Sequence, residues 1–317
     1  MASSKKILGI TGAFGYIGRR LLKRLEQDTL FERVVCVDIA SPPGDLPARF
    51  EYLHCDIRDG ETLLDVIRDT GAGTVIHLAF IAYPTRDRGF EYDVDVKGTM
   101  NVLAACDKAG VEKLVVASSD CAYGFFEGTP DYLDEDAPVR PTPGFPYSEN
   151  KAEIEKLISA FASTHPSCQV TVLRPCIVMG PTCKSTTVQS MKQPVIIGVR
   201  GYDPIMQFVH EDDAAEAFYL AATKNAAGAF NLAADEGIRY SELAKFLGKP
   251  FVALPAGLIY TLVETLYRLR IIPFGRAQLD YIRYPLSMDI QKIKQGLGFS
   301  PAFSTRETLR SFTESLT

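Results

Sequence analysis

The segment Lys6-Ile7-Leu8-Gly9-Ile10-Thr11-Gly12-Ala13-Phe14-Gly15-Tyr16-Ile17-Gly18 reads as three structures in a row. A short apolar strand runs into a turn with a glycine at every third position, and a helical pattern follows through Leu21, Leu22 and Leu25. Turn glycines let the backbone close on a pyrophosphate, and the first N–H groups and dipole of the helix attract the anion. The spacing is G-x-x-G-x-x-G rather than G-x-G-x-x-G, so the turn needs its surroundings. Val34 to Val37 supplies a second strand, and it ends at Asp38. An acid at that distance bonds both ribose hydroxyls of NAD and repels the 2′-phosphate of NADP. Strand, turn, helix, strand and acid together predict a dinucleotide site for NAD, with Gly12, Gly15 and Gly18 at the pyrophosphate.

The alternation continues outward. Phe50 to Cys55 reads as a third strand leading to Asp56 and Ile57, Leu63 to Arg68 as a helix, and Thr74 to Ala79 as a fourth strand. A helix from Gly98 to Ala109 and a fifth strand from Lys113 to Ser119 follow. Alternating strands and helices predict an α/β fold, a Rossmann-type doubly wound parallel sheet. Ligands lie at the carboxyl ends of such strands, which puts Asp38, Asp56, Ala79 and Ser119 on one rim. His77, inside an apolar strand, reads as a core or cofactor-flanking residue rather than a catalyst.

Beyond a Gly-, Pro- and acid-rich loop, Pro143 and Pro146 set up a helix that carries Tyr147, Lys151, Ile154, Leu157, Ile158 and Phe161. Residues four apart share a helix face. A phenol is too weak an acid to serve as a base at neutral pH, and a nearby ammonium favours the phenolate. Tyr147 and Lys151 therefore form a candidate acid/base pair, and Ser119 at a strand end can donate to a substrate oxygen. A sixth strand spans Gln169 to Leu173, a polar loop Gly180 to Pro194, and a last strand Ala229 to Leu232. Phe208 to Asp213 opens a helix that Asp212 and Asp213 are placed to cap. The apolar run 251–274, interrupted by Glu264, Arg268 and Arg270, reads as a lid, an oligomer surface or an interfacial membrane helix, and not as a span.

The totals narrow the function classes. A chain of 317 residues with 46% hydrophobic and 23% charged residues is that of an ordinary globular protein, and its net charge of −5 disfavours nucleic acid. Seven scattered cysteines without a Cys-x-x-Cys pair predict small core residues in a reducing compartment, and four dispersed histidines predict no metal site. The apolar run after Lys6 is too short for a signal peptide, so a cytoplasmic protein with no transmembrane segment is expected.

These motifs resemble the extended short-chain dehydrogenases/reductases, also called the NAD-dependent epimerase/dehydratase family. The matching pieces, in order, are Thr11 to Gly18, Asp38, Asp56-Ile57, His77-Leu78-Ala79, Gly98 to Val102, Ser118-Ser119, Tyr147-x-x-x-Lys151, Leu173-Arg174-Pro175, His210-x-Asp212-Asp213 and Leu297-Gly298-Phe299-x-Pro301. The resemblance implies Ser119, Tyr147 and Lys151 as the catalytic set, with Tyr147 the acid/base and Lys151 on the nicotinamide ribose. It implies a cofactor site of Gly12, Phe14, Gly15, Tyr16, Ile17, Gly18, Asp38, Ile39, Asp56, Ile57, Leu78, Ala79, Ala117, Tyr147 and Lys151. It also implies a homodimer through the helices starting near Gly98 and Tyr147, for which Ala104, Ala105, Ile158 and Phe161 are suited. The domain arrangement expected is an NAD-binding domain, 1–176 with 206–234 returning to it, and a small, mostly helical substrate-binding region of 177–205 and 235–317.

The departures from the family pattern concern the small-molecule substrate, toward which Asp120, Cys121, Ile177 and Met206 are the candidates. Nucleotide-sugar members carry Asn where Ile177 stands, and often Arg where Met206 stands. Arg200 or Arg276 is left to meet a diphosphate. The dehydratase Asp-Glu dyad is Asp120-Cys121, which argues against sugar 4,6-dehydration. The leading expectation is a nucleotide-sugar 4-epimerase-like enzyme similar to the UDP-glucose 4-epimerase branch. The alternative is a net NAD-dependent dehydrogenase or reductase of a less polar alcohol or ketone, as in the hydroxysteroid and flavonol-type branches. A non-catalytic NAD-binding regulator is the third class, and the intact Ser119–Tyr147–Lys151 set argues against it.

Overall fold

A computed structural model describes residues 6–82, 85–184 and 191–316. Part of the expected loop Gly180 to Pro194, residues 185–190, lies outside the described residues. The chain begins β1 (Ile7–Thr11), α1 (Tyr16–Leu25), β2 (Arg33–Asp38), β3 (Phe50–His54), α2 (Gly60–Thr70) and β4 (Thr74–His77). A single helical rod follows, made of α3 (Arg88–Tyr92), a π-helical turn (Asp93–Lys97) and α4 (Gly98–Ala109). Then come β5 (Lys113–Ala117), α5 (Pro146–Thr164), β6 (Gln169–Pro175) and β7 (Ile177–Met179). The next are β8 (Ile196–Val199), β9 (Ile205–Met206), β10 (Phe208–His210), α6 (Glu211–Thr223) and β11 (Gly228–Leu232). The chain ends with β12 (Ile238–Arg239), α7 (Tyr240–Phe246), β13 (Phe251–Leu254), α8 (Ala256–Arg268), α9 (Gln291–Leu297) and α10 (Thr305–Glu314).

Seven strands form one parallel sheet in the order β3-β2-β1-β4-β5-β6-β11. The order reverses at β1, whose neighbours are β2 and β4, so connections leave to opposite sides and a crevice opens at the carboxyl ends. Helices cover both faces, which is why the inner strands read as unbroken apolar runs. One core packs Leu21, Leu25, Phe218 and Phe230 on the α1/α6 face, and the other packs Leu63, Val102, Ile154 and Phe161 on the α2/α4/α5 face. Ala105, Ile158 and Phe161, three of the residues suited to a dimer helix bundle, are buried against the chain's own sheet, while Ala104 is exposed.

Two glycines make the first turn possible. Gly12 has φ +72°, and a Cβ there would stand 2.6 Å from the Ala79 amide nitrogen. A Cβ on Gly18 would stand 2.4 Å from the carbonyl oxygens of Gly12 and Ala13. Any larger residue would part β1 from β4 or lift α1 off the turn. Proline at the first position of α5 fits a place where no N–H partner is needed.

The end of the helix-opening segment differs from expectation. Phe208 to His210 is a strand paired with β7, and α6 starts only at Glu211. The cap is His210, whose ring accepts the Asp212 N–H at 3.2 Å. Asp213 instead receives the Ala302 and Phe303 amides at 2.9 and 3.1 Å, and Asp212 pairs with Arg20 of α1. The acids in that first turn tie α6 to other parts of the chain and leave its capping to the histidine. After β11 the chain builds a second, smaller layer. Here β13 pairs with β8, and Val199, Ile259, Val263 and Leu279 close a separate small core under α8.

A buried polar network joins α5 to the sheet. The Arg174 Nε donates to both Glu155 carboxylate oxygens at 2.9 and 3.1 Å, and Ser118 Oγ donates to Glu155 as well. The other end of the guanidinium donates to the Tyr123 hydroxyl at 2.6 Å, which in turn donates to Asn231 at 2.7 Å. Arg174→Met strands the Glu155 charge, and breaking a buried pair in this way costs about 3–5 kcal/mol. Urea unfolding of the variant is expected to show that loss; a loss of about 1 kcal/mol or less, the worth of a surface pair, would show that the network does not hold α5.

Candidate active site

The crevice at the sheet's carboxyl edge opens into a cavity of about 1670 Å³. That exceeds the range of roughly 300–1,000 Å³ for a single-ligand pocket, so there is room for a dinucleotide and a second molecule. Ser119, Tyr147 and Lys151 share its wall with Gly12, Gly15 and Gly18.

Local structure fixes each of these groups. Ser119 follows β5 in extended backbone, with φ −160°, and caps the 3₁₀ turn Asp120–Ala122 by accepting the Cys121 N–H at 3.2 Å. Its Oγ donates to Asp120 Oδ1 at 2.9 Å. Ser148, the next residue after Tyr147, donates to the Cys121 carbonyl at 2.6 Å and accepts the Thr142 N–H at 2.9 Å. The start of α5 is thus pinned to the turn that carries Ser119.

Electrostatics differ from the sequence expectation that Lys151 lowers the Tyr147 pKa. Burial holds the Tyr147 phenol above its ordinary value, with Cys121, Asp120 and Asp95 adding to the rise, while a hydrogen bond with Ser119 opposes it. The Lys151 ammonium is engaged elsewhere. It donates to the Ala117 carbonyl at 2.8 Å and lies 3.2 Å from the Phe80 ring centroid, against 5.7 Å for the Tyr147 ring. Lys151 itself is pushed down to about 8 by burial, against the pull of Asp95, Glu155 and Cys121. Burial also raises the Asp120 carboxyl to about 6.

The residues fit a dinucleotide. Gly15 caps α1 without a side chain, so the first N–H groups of the helix face the cleft. Asp38 Oδ2 accepts the Phe14 N–H at 2.8 Å and Oδ1 the Ala40 N–H at 2.9 Å, which holds its carboxylate at the end of β2. Tyr16, Ile17, Leu78 and Ala117 line the cavity, and Asp38 is not part of its wall. Other expected contacts are placed apart from it. Phe14 is buried in the first core. Ile39 is 64% exposed beside Asp38. Asp56 is held below the usual carboxylate range by Arg58, 2.6 Å away. Ile57 is buried and packs on Gly98, where a Cβ would stand 2.5 Å from its Cδ1. Ala79 is half-buried beside the Gly12 turn.

Of the substrate candidates, Asp120, Cys121, Ile177 and Met206 all line the cavity, as does Arg276. Arg200 is exposed and does not. The apolar run 251–274 supplies one wall through Ile259, Leu262, Val263, Leu266, Ile272 and Phe274 of α8 and the turn after it. His77 is fully buried and bonds Thr11 at 2.7 Å and Thr99 at 3.1 Å; burial drives it down to about 3, so it is a neutral buttress. All seven cysteines are free and buried. Among the described residues no cluster of three metal-ligating side chains occurs, and no helix is long and apolar enough to cross a membrane.

Asp95, which stands where the family usually has Asn, is assigned no role by the sequence. The π-helical turn aims it inward, where it accepts from the Ile81 amide at 2.8 Å and Asn150 Nδ2 at 3.2 Å, next to Lys151. Its signal would have been an acid between the helix rod and the cofactor rim.

Comparisons with known proteins agree with this fold. The profile of the NAD dependent epimerase/dehydratase family matches residues 8–233. An uncharacterised protein of Mycobacterium tuberculosis is 30% identical over 97% of this chain and 83% of its own length. A 3β-hydroxysteroid-dehydrogenase/decarboxylase of Arabidopsis thaliana is 27% identical over 96% of this chain and 78% of its own. The structure of a UDP-glucose 4-epimerase from Thermus thermophilus in complex with NAD shares the fold, with a TM-score of 0.75, 22% identity and 98% coverage of both chains.

The Lys151 environment gives a signed prediction. Its folded pKa of about 8 lies below the ordinary 10.5, so between those values the unfolded chain binds more protons and stability rises with pH. At pH 7 the buried charge is a penalty on the order of 3 kcal/mol. Lys151→Met is therefore expected to abolish turnover yet raise the unfolding midpoint at pH 7. The gain should shrink from pH 8 to 10.5. A variant less stable than the parent at pH 7 would show that its partners outweigh desolvation.

Proposed function

Because the chain belongs to the NAD-dependent epimerase/dehydratase family, matched over residues 8–233, we propose that it catalyses reversible hydride transfer at a secondary alcohol carbon of a bulky, largely apolar substrate. NAD, when bound, supplies the hydride acceptor. The observation that carries the substrate class is the wall of the cavity that Ser119 and Tyr147 also line, to which Ile177, Met206, Phe125, Ile259, Val263 and Phe274 contribute. Apolar surface of this extent gains from burying hydrocarbon.

In this reading Tyr147 takes the alcohol proton as the hydride leaves the same carbon, and returns it in the reductive direction. Ser119 donates to the reacting oxygen. Lys151 holds the nicotinamide ribose and adds positive charge below its pKa of about 8. Gly12, Gly15, Gly18 and the start of α1 hold the pyrophosphate, and Asp38 the adenosine ribose. Asp95 is a positioning residue, acting on Lys151 and, through Asn150, on α5.

A nucleotide-sugar 4-epimerase is the second reading, favoured by cations such as Arg276 in the cavity wall. A single panel separates the two. Wild-type protein with NAD+ is given cyclic and steroid-sized secondary alcohols and UDP-sugars, and NADH absorbance and sugar stereochemistry are followed. Net NADH from the apolar alcohols is expected. Epimer interconversion without NADH would sink the first reading in favour of the second. Tyr147→Phe is expected to lose about 10²–10⁴-fold in rate with NAD affinity unchanged; retained activity would remove Tyr147 from the acid/base role.

A further inference from the structure

The wall formed by the segment after α8 contains a cation whose recorded partners among the described residues are all tyrosines. Arg283 follows the 3₁₀ segment Arg276–Ile282, lines the cavity and is half-buried. Three tyrosine rings surround its guanidinium, with centroids 4.6 Å (Tyr202), 4.8 Å (Tyr284) and 5.7 Å (Tyr260) away. One terminal nitrogen donates to the Tyr202 hydroxyl at 2.9 Å. The Nε is buried, and among the described residues it has no hydrogen-bond partner.

The nearby acids reach Arg283 only through tyrosines, and the Tyr260 hydroxyl bonds both Asp280 and Arg283. Asp280 accepts the Tyr260 hydroxyl at 2.5 Å. Exposed Glu127 acts on Tyr284. The charge on Arg283 is sustained by its tyrosine contacts, the bond to Tyr202 first, against desolvation. A desolvated donor without a partner is costly, and with tyrosines on the terminal nitrogens it is the Nε that is left without an acceptor among the described residues. A planar fork held rigidly in an apolar cavity with an unfilled donor is matched by one carboxylate.

We propose that Arg283 is a carboxylate subsite, so that the substrate is an apolar alcohol or ketone that also carries a carboxylate apart from the reacting carbon. This inference rests on the apolar reading of the cavity. A diphosphate fits less well. It brings more negative charge than one half-buried guanidinium neutralises, and Arg276, 5.9 Å from the Tyr260 centroid, is exposed.

Calorimetry of the NAD-loaded protein with octanoate, 1-octanol and inorganic pyrophosphate tests this without relying on turnover. Octanoate is expected to bind at least about ten-fold tighter than octanol, the factor that corresponds to one bidentate ionic contact. Arg283→Met should erase that preference and leave NAD affinity unchanged. Arg283→Lys, which keeps the charge but not the fork, should fall between the two, and it decides the matter if the methionine variant does not fold. Equal affinity for octanoate and octanol, or a preference that survives both substitutions, overturns the carboxylate subsite alone and leaves the apolar reading standing. Pyrophosphate binding tighter than octanoate overturns both.

Discussion

The buried pair between Arg174 and Glu155 is the constraint on which the site depends. Glu155 sits one turn beyond Lys151 on α5, and Arg174 closes β6. Their bonds, with those to Ser118 and Tyr123, set the height of α5 against the strand ends. That height determines where Tyr147 and Lys151 stand relative to Ser119. Asn231 extends the same network to the Leu133 and Asp289 carbonyls, at 2.9 and 3.1 Å, so the loop after β5 and the segment before α9 are indexed to the same point. A buried ion pair is a weak source of net stability, but its directional bonds are satisfied by few arrangements.

What the sequence revealed was local. The glycine turn, the acid after β2 and the Tyr147–Lys151 spacing each lie within a few dozen residues, where periodicity and backbone geometry act directly. The doubly wound parallel sheet followed from the alternation of strands and helices. What stayed hidden was set by partners far apart in the chain. Glu155 reads as one more charge on a helix until Arg174 is brought beside it. Asp95 reads as one more acid in a helical stretch until the π-helical turn directs it toward Lys151. Phe208 to His210 looks like a helix entry because its pairing with Ile177 to Met179 leaves no mark in either segment. The surroundings of Lys151 were hidden for a related reason: spacing puts two side chains on one face but does not say that the ammonium will meet the Ala117 carbonyl and the Phe80 ring.

The apolar run 251–274 shows how one stretch serves two layers. Its first four residues pair with β8, and its helix turns Ile259 and Val263 toward a small core while neighbouring side chains form the cavity wall. The region that departs most from the nucleotide-sugar pattern is therefore also the one that encloses the substrate space. In a fold whose cofactor side is shared across many reactions, substrate choice falls to such added segments.

The bond from Ser119 to Asp120 has a bearing on timing. Before any substrate arrives the hydroxyl already has an acceptor, a carboxyl whose pKa of about 6 leaves it mostly ionised at neutral pH. In the role proposed for it, Ser119 must exchange that partner for the reacting oxygen. A neutral ketone or alcohol is the poorer acceptor, whereas an oxygen gathering negative charge is the better one. The exchange thus becomes favourable only as charge develops, and a contact that would otherwise tighten the resting complex is reserved for the crossing of the barrier.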